Sequence, residues 1–510
     1  MKVELQHRAH IGQHGDTSAL IFLVGGSVLV SLILIVTYGS VFSTLAVIGM
    51  IATVVLTFYR LDWGFFLFVG MVLAFDQFPP RGYETSIIGV EYFQNLKAFP
   101  FLASVDMAVV TPMELHLFLI ITVWFMLIIM GKKVLLQGVP VWFPALLFFF
   151  WLTMAMIYGM GRGGDFLPAL WELRALFYLG VMYFFIPQVI QTRTQLQSFI
   201  WVCISAVAFK AFQGIIRLVR MGFQFGDRTE LTNHEDPLFF IALFILLFGL
   251  AFFGGNNKQK RVLAWLLLPL SAVFVLAQRR ATYGALGIAL IAFIVILPKK
   301  ERWMMMRIIL PGLVLFGIYL AAFWNTQSTV GYPAQLVKSS FSTEQEMTGD
   351  RYYSNLYRKF ENYNLAATVQ KSPLIGIGFG NKYDQPVSLA AIPFSLRDYI
   401  PHNEIFWLIV KMGVVGFFFF WFFFDTYLFH AASIYGGLQD PYLKSVCAIS
   451  IIAVVGQIMV SYFDLQLTFY RNMVFLGVFM GLLPTLKLLD KSTAKESTSV
   501  IKAPQFPFAR

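Results

Sequence analysis

Long apolar runs separated by short polar connectors extend along most of the chain. Runs such as 19–37 and 237–254 are continuously apolar, which favours helices over membrane strands of alternating polarity. A bilayer core about 30 Å thick needs roughly 20 apolar residues per helix. We therefore predict an all-α, polytopic membrane helical bundle. The predicted spans are 19–37, 41–58, 63–75, 113–130, 141–158, 175–190, 197–217, 237–254, 262–277, 281–297, 303–324, 404–430, 443–462 and 469–486.

Two of these runs leave the number of spans open. The run at 63–75 is short, and the run at 404–430 is long and interrupted by Gly413 and Gly416. The sequence thus predicts about fourteen transmembrane helices, with about twelve as the alternative. Either even number places both termini on the same side of the membrane.

Basic residues mark one side of the predicted bundle. They cluster in the connectors near 132–133, 258–261 and 299–307 and in the C-terminal tail, and all four segments share one side. By the positive-inside rule that side is the cytoplasm. Both termini are therefore predicted to be cytoplasmic.

This topology divides the chain into five segments. Residues 1–18 are too polar for the hydrophobic part of a signal peptide, so we expect a retained first helix. The segment 325–401 is predicted to be one large periplasmic loop with a helix near 351–370, and we expect the chemistry to face the periplasm. The segments are a cytoplasmic tail (1–18), the first part of the bundle (19–324), the loop (325–401), the last part of the bundle (402–486) and a cytoplasmic tail (487–510).

Composition excludes a soluble globule. Of the 510 residues, 58% are hydrophobic and 13% are charged, against roughly one-quarter charged residues in soluble domains. We interpret the net charge of +11 as cytoplasmic loop charge and not as a nucleic-acid surface. Cys203 and Cys447 lie within apolar runs and indicate neither a disulfide framework nor a metal cluster.

Several arginines lie where the positive-inside rule does not expect them. Arg279 and Arg280 stand between two apolar runs with almost no loop, at the outer end of the predicted helices. Arg228 belongs to an outer loop, and Arg174 opens another helix from the same side. Guanidinium groups bind phosphate through paired hydrogen bonds, so this cluster indicates an anionic headgroup or a diphosphate. The alternative is anchoring to lipid headgroups by snorkelling.

Histidine is the best candidate for a catalytic base. Among the seven histidines, only His234 and His402 fall in predicted outer loops. His402 begins a helix at the end of the large loop and has Asp398, Asn403 and Glu404 nearby in sequence. The alternative is a polar residue at a helix start without a role in chemistry.

Other catalytic motifs are missing from the sequence. It contains no Asp-x-Asp pair, no HExxH and no CxxC, so no metal site is predicted. The GIGFG run at 376–380 is not GxGxxG, and we expect tight turns or close backbone approach there, with phosphate binding as the weaker alternative. The HED run at 234–236 is interpreted as a loop feature next to Arg228.

Three motifs together resemble the bacterial O-antigen ligase and O-antigen polymerase superfamily. SPLIGIGFGNKY at 372–383 is followed by PHNEIFWLIVKMGVVG at 401–416, and QRRATYGAL at 278–286 is similar to the family's hairpin. Arg358, fifteen residues before Pro373, matches the arginine that usually precedes the glycine turn. The likeness is strongest over residues 200–430. Two consecutive arginines depart from the pattern, so which of them has the family's role stays open.

The resemblance implies a glycosyltransferase of the bacterial inner membrane. Members use glycans carried on undecaprenyl diphosphate and join them, on the periplasmic face, to a lipid A core or to another lipid-linked repeat unit. The implied partners are the lipid-linked oligosaccharide donor, an acceptor glycan or glycolipid, the bilayer and other polysaccharide assembly proteins, but no nucleic acid. The reaction needs no cofactor and no metal. The sequence does not separate ligase from polymerase.

The resemblance also implies roles for individual residues. His402 corresponds to the catalytic histidine, which would accept the proton of the attacking hydroxyl, with Asn403 and Asp398 orienting it. The remaining candidates would hold the diphosphate as it leaves; they are Arg228, Arg279, Arg280, Arg358 and Arg174. The competing hypothesis is a transporter or flippase of an anionic lipid-linked sugar, which would also need an arginine-lined cavity.

Overall fold

The computed structural model describes residues 24–35, 39, 41–78, 92–98, 109–132, 138–223, 231–277, 279–326, 328, 330–341 and 350–501. Within these residues the regular secondary structure is helical. The helices form two compact units, one from residues 1–68 and 85–133 and the other from residues 69–84 and 134–510. The candidate residues that the structure describes all belong to the second unit.

The first unit contains apolar helices of moderate length. They are α1 (Val24–Ile35), α2 (Val41–Tyr59), the first part of α3 (Leu61–Ala74) and α4 (Pro112–Ile129). A capping box fixes the start of α4, because Thr111 and Glu114 exchange side-chain hydrogen bonds with each other's backbone N–H. His116 is buried in this unit, and its Nδ1 lies 3.0 Å from the Tyr92 hydroxyl.

The second unit holds the longer helices and both loop helices. They are α5 (Trp142–Gly161), α6 (Phe166–Val189), α7 (Arg193–Arg220), α8 (Asp236–Phe252), α9 (Asn257–Leu276), α10 (Arg280–Ile296), α11 (Lys299–Phe323), α12 (Tyr332–Phe341), α13 (Asp350–Lys371), α14 (Glu404–Gly437), α15 (Pro441–Phe463), α16 (Tyr470–Gly481) and α17 (Leu483–Ile501). The loop helix predicted near 351–370 is therefore present as α13.

The helices confirm a polytopic membrane protein. In the described part of the chain, nine helical segments are long and apolar enough to cross a bilayer, and five further apolar helices are shorter. Each of the predicted spans falls on one of these helices. The last one, 469–486, covers α16 and the start of α17, which together form a single candidate span.

The predicted start of one span was wrong by nine residues. We placed it at residue 175, whereas α6 begins at Phe166, so Arg174 lies inside the helix and does not open it. Glu172 and Arg174 made this stretch look polar in sequence. Both are buried, because Glu172 pairs with Lys411 at 2.7 Å and the Arg174 guanidinium lies over the Trp171 ring at 5.3 Å.

Helix α16 lies in the core of the second unit and packs along α6. Glycines on α16 allow the close approach: a Cβ at Gly477 would lie 2.5 Å from the Leu179 carbonyl oxygen, and one at Gly481 would overlap Ile186. Small residues serve this purpose between membrane helices because they let backbones come near each other. Helix α15 packs against α8, α10 and α14.

Helix α14 is broken at Gly413, which has φ +65° and ψ −175°. The break frees backbone groups of α14, and the segment 373–378 satisfies them with four hydrogen bonds. They run from Val414 to Pro373 (2.9 Å), Val415 to Leu374 (3.2 Å), Ile377 to Val410 (2.9 Å) and Gly378 to Lys411 (3.0 Å). Irregular backbone at membrane depth persists only when it is satisfied in this way.

The glycine run at 376–380 makes close backbone contacts, as predicted. Gly376, Gly378 and Gly380 all have positive φ, a conformation that glycine adopts without strain. The Gly380 N–H donates to the buried Glu172 carboxylate at 2.7 Å, and the Lys411 ammonium donates to the Asn381 carbonyl. The buried Glu172–Lys411 pair thus joins α6, α14 and this turn.

Candidate active site

His402 lies directly before α14. Asn403 is the N-cap of this helix, and its side-chain oxygen accepts a hydrogen bond from the Phe406 N–H at 3.0 Å. Asparagine is favoured at this position because it satisfies one of the first free N–H groups of the helix. The His402 side chain is 24% exposed, so the imidazole is accessible at this end of α14.

A buried carboxylate holds one side of the His402 imidazole. Both oxygens of Glu361, on α13, lie 3.2 Å from His402 Nδ1, and Oε2 also accepts the His402 backbone N–H at 2.9 Å. A carboxylate only accepts hydrogen bonds, so in the neutral ring it selects the tautomer with the proton on Nδ1. Among the described residues, none forms a hydrogen bond with Nε2, which then carries the lone pair.

We expected Asp398 to orient His402, but the structure places Glu361 there. Asp398 accepts a hydrogen bond from Gln385 at 3.1 Å and pairs with Lys382 at 3.4 Å. Its carboxylate is engaged within the loop, because two residues that precede it in the loop supply these donors. Asn403 contributes by fixing the start of α14 and not by a contact with the imidazole.

Tyr357 lies one helical turn before Glu361 on α13. Its ring packs edge-on against the His402 imidazole, with 5.5 Å between the ring centroids. Burial, reinforced by the negative charge of Glu361, raises the pKa of Tyr357 to about 12. The phenol therefore stays protonated at neutral pH beside the imidazole.

The two consecutive arginines make different contacts. The Arg279 guanidinium pairs with Asp464 at 3.2 Å. Arg280 donates to the Asn355 side chain at 2.7 Å and to the Ser339 carbonyl at 3.3 Å, so it ties the start of α10 to the loop helices α12 and α13. Arg279 therefore faces the cluster around Asp464, and Arg280 contacts the loop helices; which of the two has the family's role stays a prediction.

Asp464, which follows α15, has several positive groups around it. His234 Nδ1 lies 3.0 Å from its carboxylate, and Arg279 and Arg358 also act on it. Burial opposes ionisation of this carboxyl, but these positive charges outweigh burial and hold the pKa of Asp464 well below its usual range. The carboxylate is therefore charged throughout the physiological range of pH.

Contacts between residues close to them in sequence link the Asp464 cluster to His402. Glu404, two residues after His402, is buried, and its carboxylate accepts hydrogen bonds from the backbone of residues 466–468 and from the Thr468 hydroxyl at 2.6 Å. These residues follow Asp464 by two to four positions. Helix α13 provides a second link, because it carries both Glu361, which contacts His402, and Arg358, which acts on Asp464.

The remaining predicted arginines have different outcomes. Arg358 lies on α13 beside Tyr357, at the position that joins the two clusters. Arg228 lies outside the described residues, so its role stays a prediction. Arg174 is buried in α6 against Trp171.

Three residues of the site were missed in the sequence. Glu361 and Tyr357 lie in the middle of a polar loop helix, and their spacing of four residues, which places both on one helix face, is the signal that could have found them. Asp464 ends a long apolar run at a predicted outer end, as Arg279 begins one. A carboxylate and a guanidinium at the same predicted depth of the bundle are the signal there.

Comparison with known proteins gives one family match. Residues 262–421 match the family model described as O-Antigen ligase. The matched segment is about a third of the chain and contains Arg279, Arg358, Glu361 and His402, whereas His234 and Asp464 lie outside it. No curated protein matches the chain. The match at residues 262–421 thus confirms the resemblance of this chain to the O-antigen ligase and polymerase superfamily.

Proposed function

We propose that the protein transfers a glycan from an undecaprenyl-diphosphate donor to a sugar hydroxyl acceptor on the periplasmic face of the bacterial inner membrane. The acceptor is a second lipid-linked repeat unit or a lipid A core. An O-antigen ligase domain indicates a glycosyltransferase-type enzyme in general. The donor, the acceptor and the mechanism are the proposal.

One observation supports this proposal. The accessible His402 imidazole is held at Nδ1 by the buried Glu361 carboxylate, and it lies in the same compact unit as Arg279 and Arg358. His402 Nε2 would accept the proton of the acceptor hydroxyl as its oxygen attacks the anomeric carbon. The neutral tautomer selected by Glu361 is the one this step needs, because it leaves a lone pair on the accessible nitrogen.

Arg279 and Arg358 would bind the diphosphate. When the bond between the anomeric carbon and the phosphate oxygen breaks, the electron pair stays on that oxygen and negative charge grows there. Fixed guanidinium groups stabilise this charge more in the transition state than in the ground state. They would supply the positive charge that a divalent metal supplies in other glycosyltransferases, and we propose a metal-independent displacement.

Arg280 would have a different role from its neighbour. Its contacts with Asn355 and Ser339 support a function in holding the loop helices over the site. Replacement of Arg279 should therefore lower transfer through donor binding and turnover, whereas replacement of Arg280 should act through the placement of α13.

The direct test is transfer by purified protein in lipid nanodiscs. Undecaprenyl-diphosphate glycan and acceptor are supplied with EDTA present, and new glycosidic bonds are measured. We expect His402→Ala to lower kcat at least about a hundredfold, in the range typical of a lost general base. His430→Ala, in the last part of α14, is the matched control and should retain activity. Unchanged transfer by His402→Ala would contradict the assignment.

The same preparation separates the alternatives. A lipid A core acceptor and a lipid-linked repeat unit, offered separately, distinguish ligase from polymerase. A transporter would move the sugar across vesicles without forming a glycosidic bond. The buried Glu172–Lys411 pair is the kind of intramembrane charge that a transporter uses, but its contacts with Gly380 and Asn381 support a role in holding the glycine turn.

A further inference from the structure

His234 forms a second histidine–carboxylate pair beside the proposed diphosphate site. Its Nδ1 lies 3.0 Å from the Asp464 carboxylate, which also pairs with Arg279 at 3.2 Å. His402 and Glu361 form the first such pair. Both imidazoles therefore lie in the second unit. His234 lies in the cluster that contains Arg279, and His402 lies at the start of α14.

A buried charge network fixes the backbone around His234. The network includes the two neighbours of His234, Asn233 and Glu235, and also Asp236. In addition, the His234 carbonyl accepts a hydrogen bond from the Gln466 side chain at 3.4 Å. The contacts are Asn233 to Asp76 (2.7 Å), Asn233 N–H to Asp236 (3.0 Å), Arg471 to Asp236 (2.6 Å) and Glu235 (3.6 Å), and Lys210 to Asp236 (3.8 Å) and Asp76. Buried charges are costly to place, so a segment anchored by this many is held in one position.

The imidazole is the accessible part of this segment. The side chains of Lys210, Asp76, Asp236 and Arg471 are at most 1% exposed, whereas that of His234 is 32% exposed. Its ring packs at 90° against Phe469, with 6.1 Å between the centroids. The network therefore presents one titratable group, in a fixed orientation, next to Arg279.

The charges around His234 come from four elements. Asp464 follows α15, Arg279 precedes α10, Arg358 lies on α13, and Glu235 follows His234 in the chain. Arg279 and Arg358 are positive and Asp464 is negative at all physiological pH values. Protonation of His234 adds a positive charge to this cluster.

We infer that His234, in its protonated form, binds the leaving lipid diphosphate together with Arg279, as a second imidazole of the transfer reaction. This inference rests on the proposed function. The acceptor oxygen bonds to the anomeric carbon, its proton moves to His402, and the electron pair of the broken bond stays on the diphosphate oxygen. His234 keeps its proton throughout and donates a hydrogen bond to the diphosphate, with Asp464 holding the other side of the ring.

The two histidines give opposite pH requirements. His402 must be neutral to accept a proton, so its contribution is lost as the pH falls. His234 must be protonated, so its contribution is present at low pH and lost as the pH rises through its pKa. We expect kcat/KM of the wild type to fall at both ends of the pH range.

The test compares pH profiles of His234→Gln and His234→Arg with the wild type from about pH 5.5 to 9, around the ordinary pKa of imidazole. Glutamine removes the charge, and we expect kcat/KM at low pH to fall at least about tenfold, as for a lost charge-assisted hydrogen bond, with no further decline on the alkaline side. Arginine keeps the charge at every pH, so this variant should be more active than His234→Gln and should also lack the alkaline decline. His430→Gln is the control and should keep the wild-type profile.

Binding provides a readout that does not depend on transfer. The probe is undecaprenyl diphosphate. The ratio of the wild-type affinity to the His234→Gln affinity is measured at about pH 6 and at about pH 9, on either side of the ordinary imidazole pKa. Titration of the diphosphate itself affects both proteins equally and cancels in this ratio. We expect the ratio to be larger at the lower pH. Thermal unfolding of each variant verifies that it is folded.

Each outcome decides the inference. The inference is overturned if the wild type and His234→Gln show the same alkaline decline. It is also overturned if the affinity ratio does not change with pH. If the wild type forms no glycosidic bond, the proposed function fails and the binding comparison alone decides whether His234 recognises a lipid diphosphate. If transfer depends on His402 but the His234 variants keep the wild-type profile, only the role of His234 fails.

Discussion

At the scale of single residues, the site depends on the protonation states of two imidazoles, each held at Nδ1 by a carboxylate. Glu361 holds Nδ1 of His402 at 3.2 Å, and Asp464 lies 3.0 Å from Nδ1 of His234. In both pairs the carboxylate side chain is less than a tenth exposed, while the imidazole remains accessible. A histidine arranged in this way presents its other nitrogen to a substrate in a defined state.

Replacing Glu361 should reveal how much His402 depends on it. In Glu361→Gln the negative charge that selects the Nδ1 proton is gone, and we expect kcat to fall at least about tenfold with little change in KM, because a general base acts on turnover. Transfer assays measure both kcat and KM.

Asp384→Asn is the matched control for this change. Asp384 is a carboxylate of the same loop, 42% exposed, in a surface pair with Lys371 at 3.0 Å, and such pairs contribute little. Its variant should retain wild-type kcat. A Glu361→Gln enzyme with wild-type turnover would contradict the role of this carboxylate.

The depressed pKa of Asp464 gives a prediction for stability. A carboxyl whose folded pKa is lowered contributes stability that is fully present above its unfolded pKa, about 3.9, and loses it only as the pH falls through the lower, folded value. The Tm difference between wild type and Asp464→Asn should therefore not shrink between about pH 7 and pH 4.5. Thermal unfolding of the purified proteins measures it, and a gap that closes by pH 4.5 would show that the Asp464 carboxyl takes up its proton above the ordinary pKa of aspartate, which contradicts a lowered pKa.

Residues at helix ends could be predicted from sequence, and their partners could not. His402 and Arg279 stand out because each interrupts the boundary of an apolar run, where a charged or titratable group needs an explanation. Glu361 lies 41 positions before His402, on a loop helix that is polar on several sides. Which of its carboxylates is buried depends on how α13 packs against α14, and the periodicity of α13 alone does not settle that.

At the scale of elements, the break in α14 and the glycine turn are one unit. The sequence predicted an interruption at Gly413 and a tight turn at 376–380 as separate features. In the structure the turn supplies the hydrogen bonds that the break leaves open. Their pairing could not be predicted because it joins backbone groups about 35 residues apart through contacts that no side-chain pattern records.

Substituting Gly413 should disrupt this unit. Its φ of +65° is costly for a residue with a Cβ, and a Cβ there would overlap the Leu374 carbonyl. We expect Gly413→Ala to lower Tm by several degrees, as for a loss of one or more kcal/mol, and to reduce transfer because α14 carries His402. Gly436→Ala on the same helix is the control, since a Cβ there meets no atom within 4 Å. Equal Tm values for the two variants would contradict this role.

Paired charges explain the misplaced start of α6. Hydropathy counts Glu172 and Arg174 as unfavourable in a membrane helix, but Lys411 and Trp171 compensate them within the protein. A hydropathy pattern scores each charged residue by itself. It contains no information about the residue that pairs with that charge in the folded protein. The largest error in a predicted start therefore falls where α6 carries these buried polar contacts, and the span predicted to end at 430 also stops seven residues before the end of α14 at Gly437.

At the scale of the whole molecule, the sidedness of the bundle is still a prediction. The basic connectors place the loop 325–401 in the periplasm and the C-terminal tail in the cytoplasm. Ser388 in the loop and Ser492 near the tail are both exposed. The native cysteines, Cys203 and Cys447, are buried, so single introduced cysteines at these two serines can report sidedness.

We expect a membrane-impermeant maleimide to label Ser388→Cys in spheroplasts. Ser492→Cys should be labelled only after the membrane is permeabilised, and the unmodified protein should give the background. The opposite pattern would place the site on the cytoplasmic side and would contradict the proposed transfer on the periplasmic face. Equal labelling of both positions before permeabilisation would show that the membrane had leaked.

The central claim is that His402 and the arginines around Asp464 act on one lipid-linked diphosphate. The most direct measurement is a structure of the protein in a nanodisc with an undecaprenyl-diphosphate glycan bound and no acceptor present. We expect diphosphate oxygens within about 3 Å of the Arg279 and Arg358 guanidinium nitrogens. The anomeric carbon should lie on the side of His402. A diphosphate bound away from both arginines, or a sugar that His402 cannot reach, would contradict it.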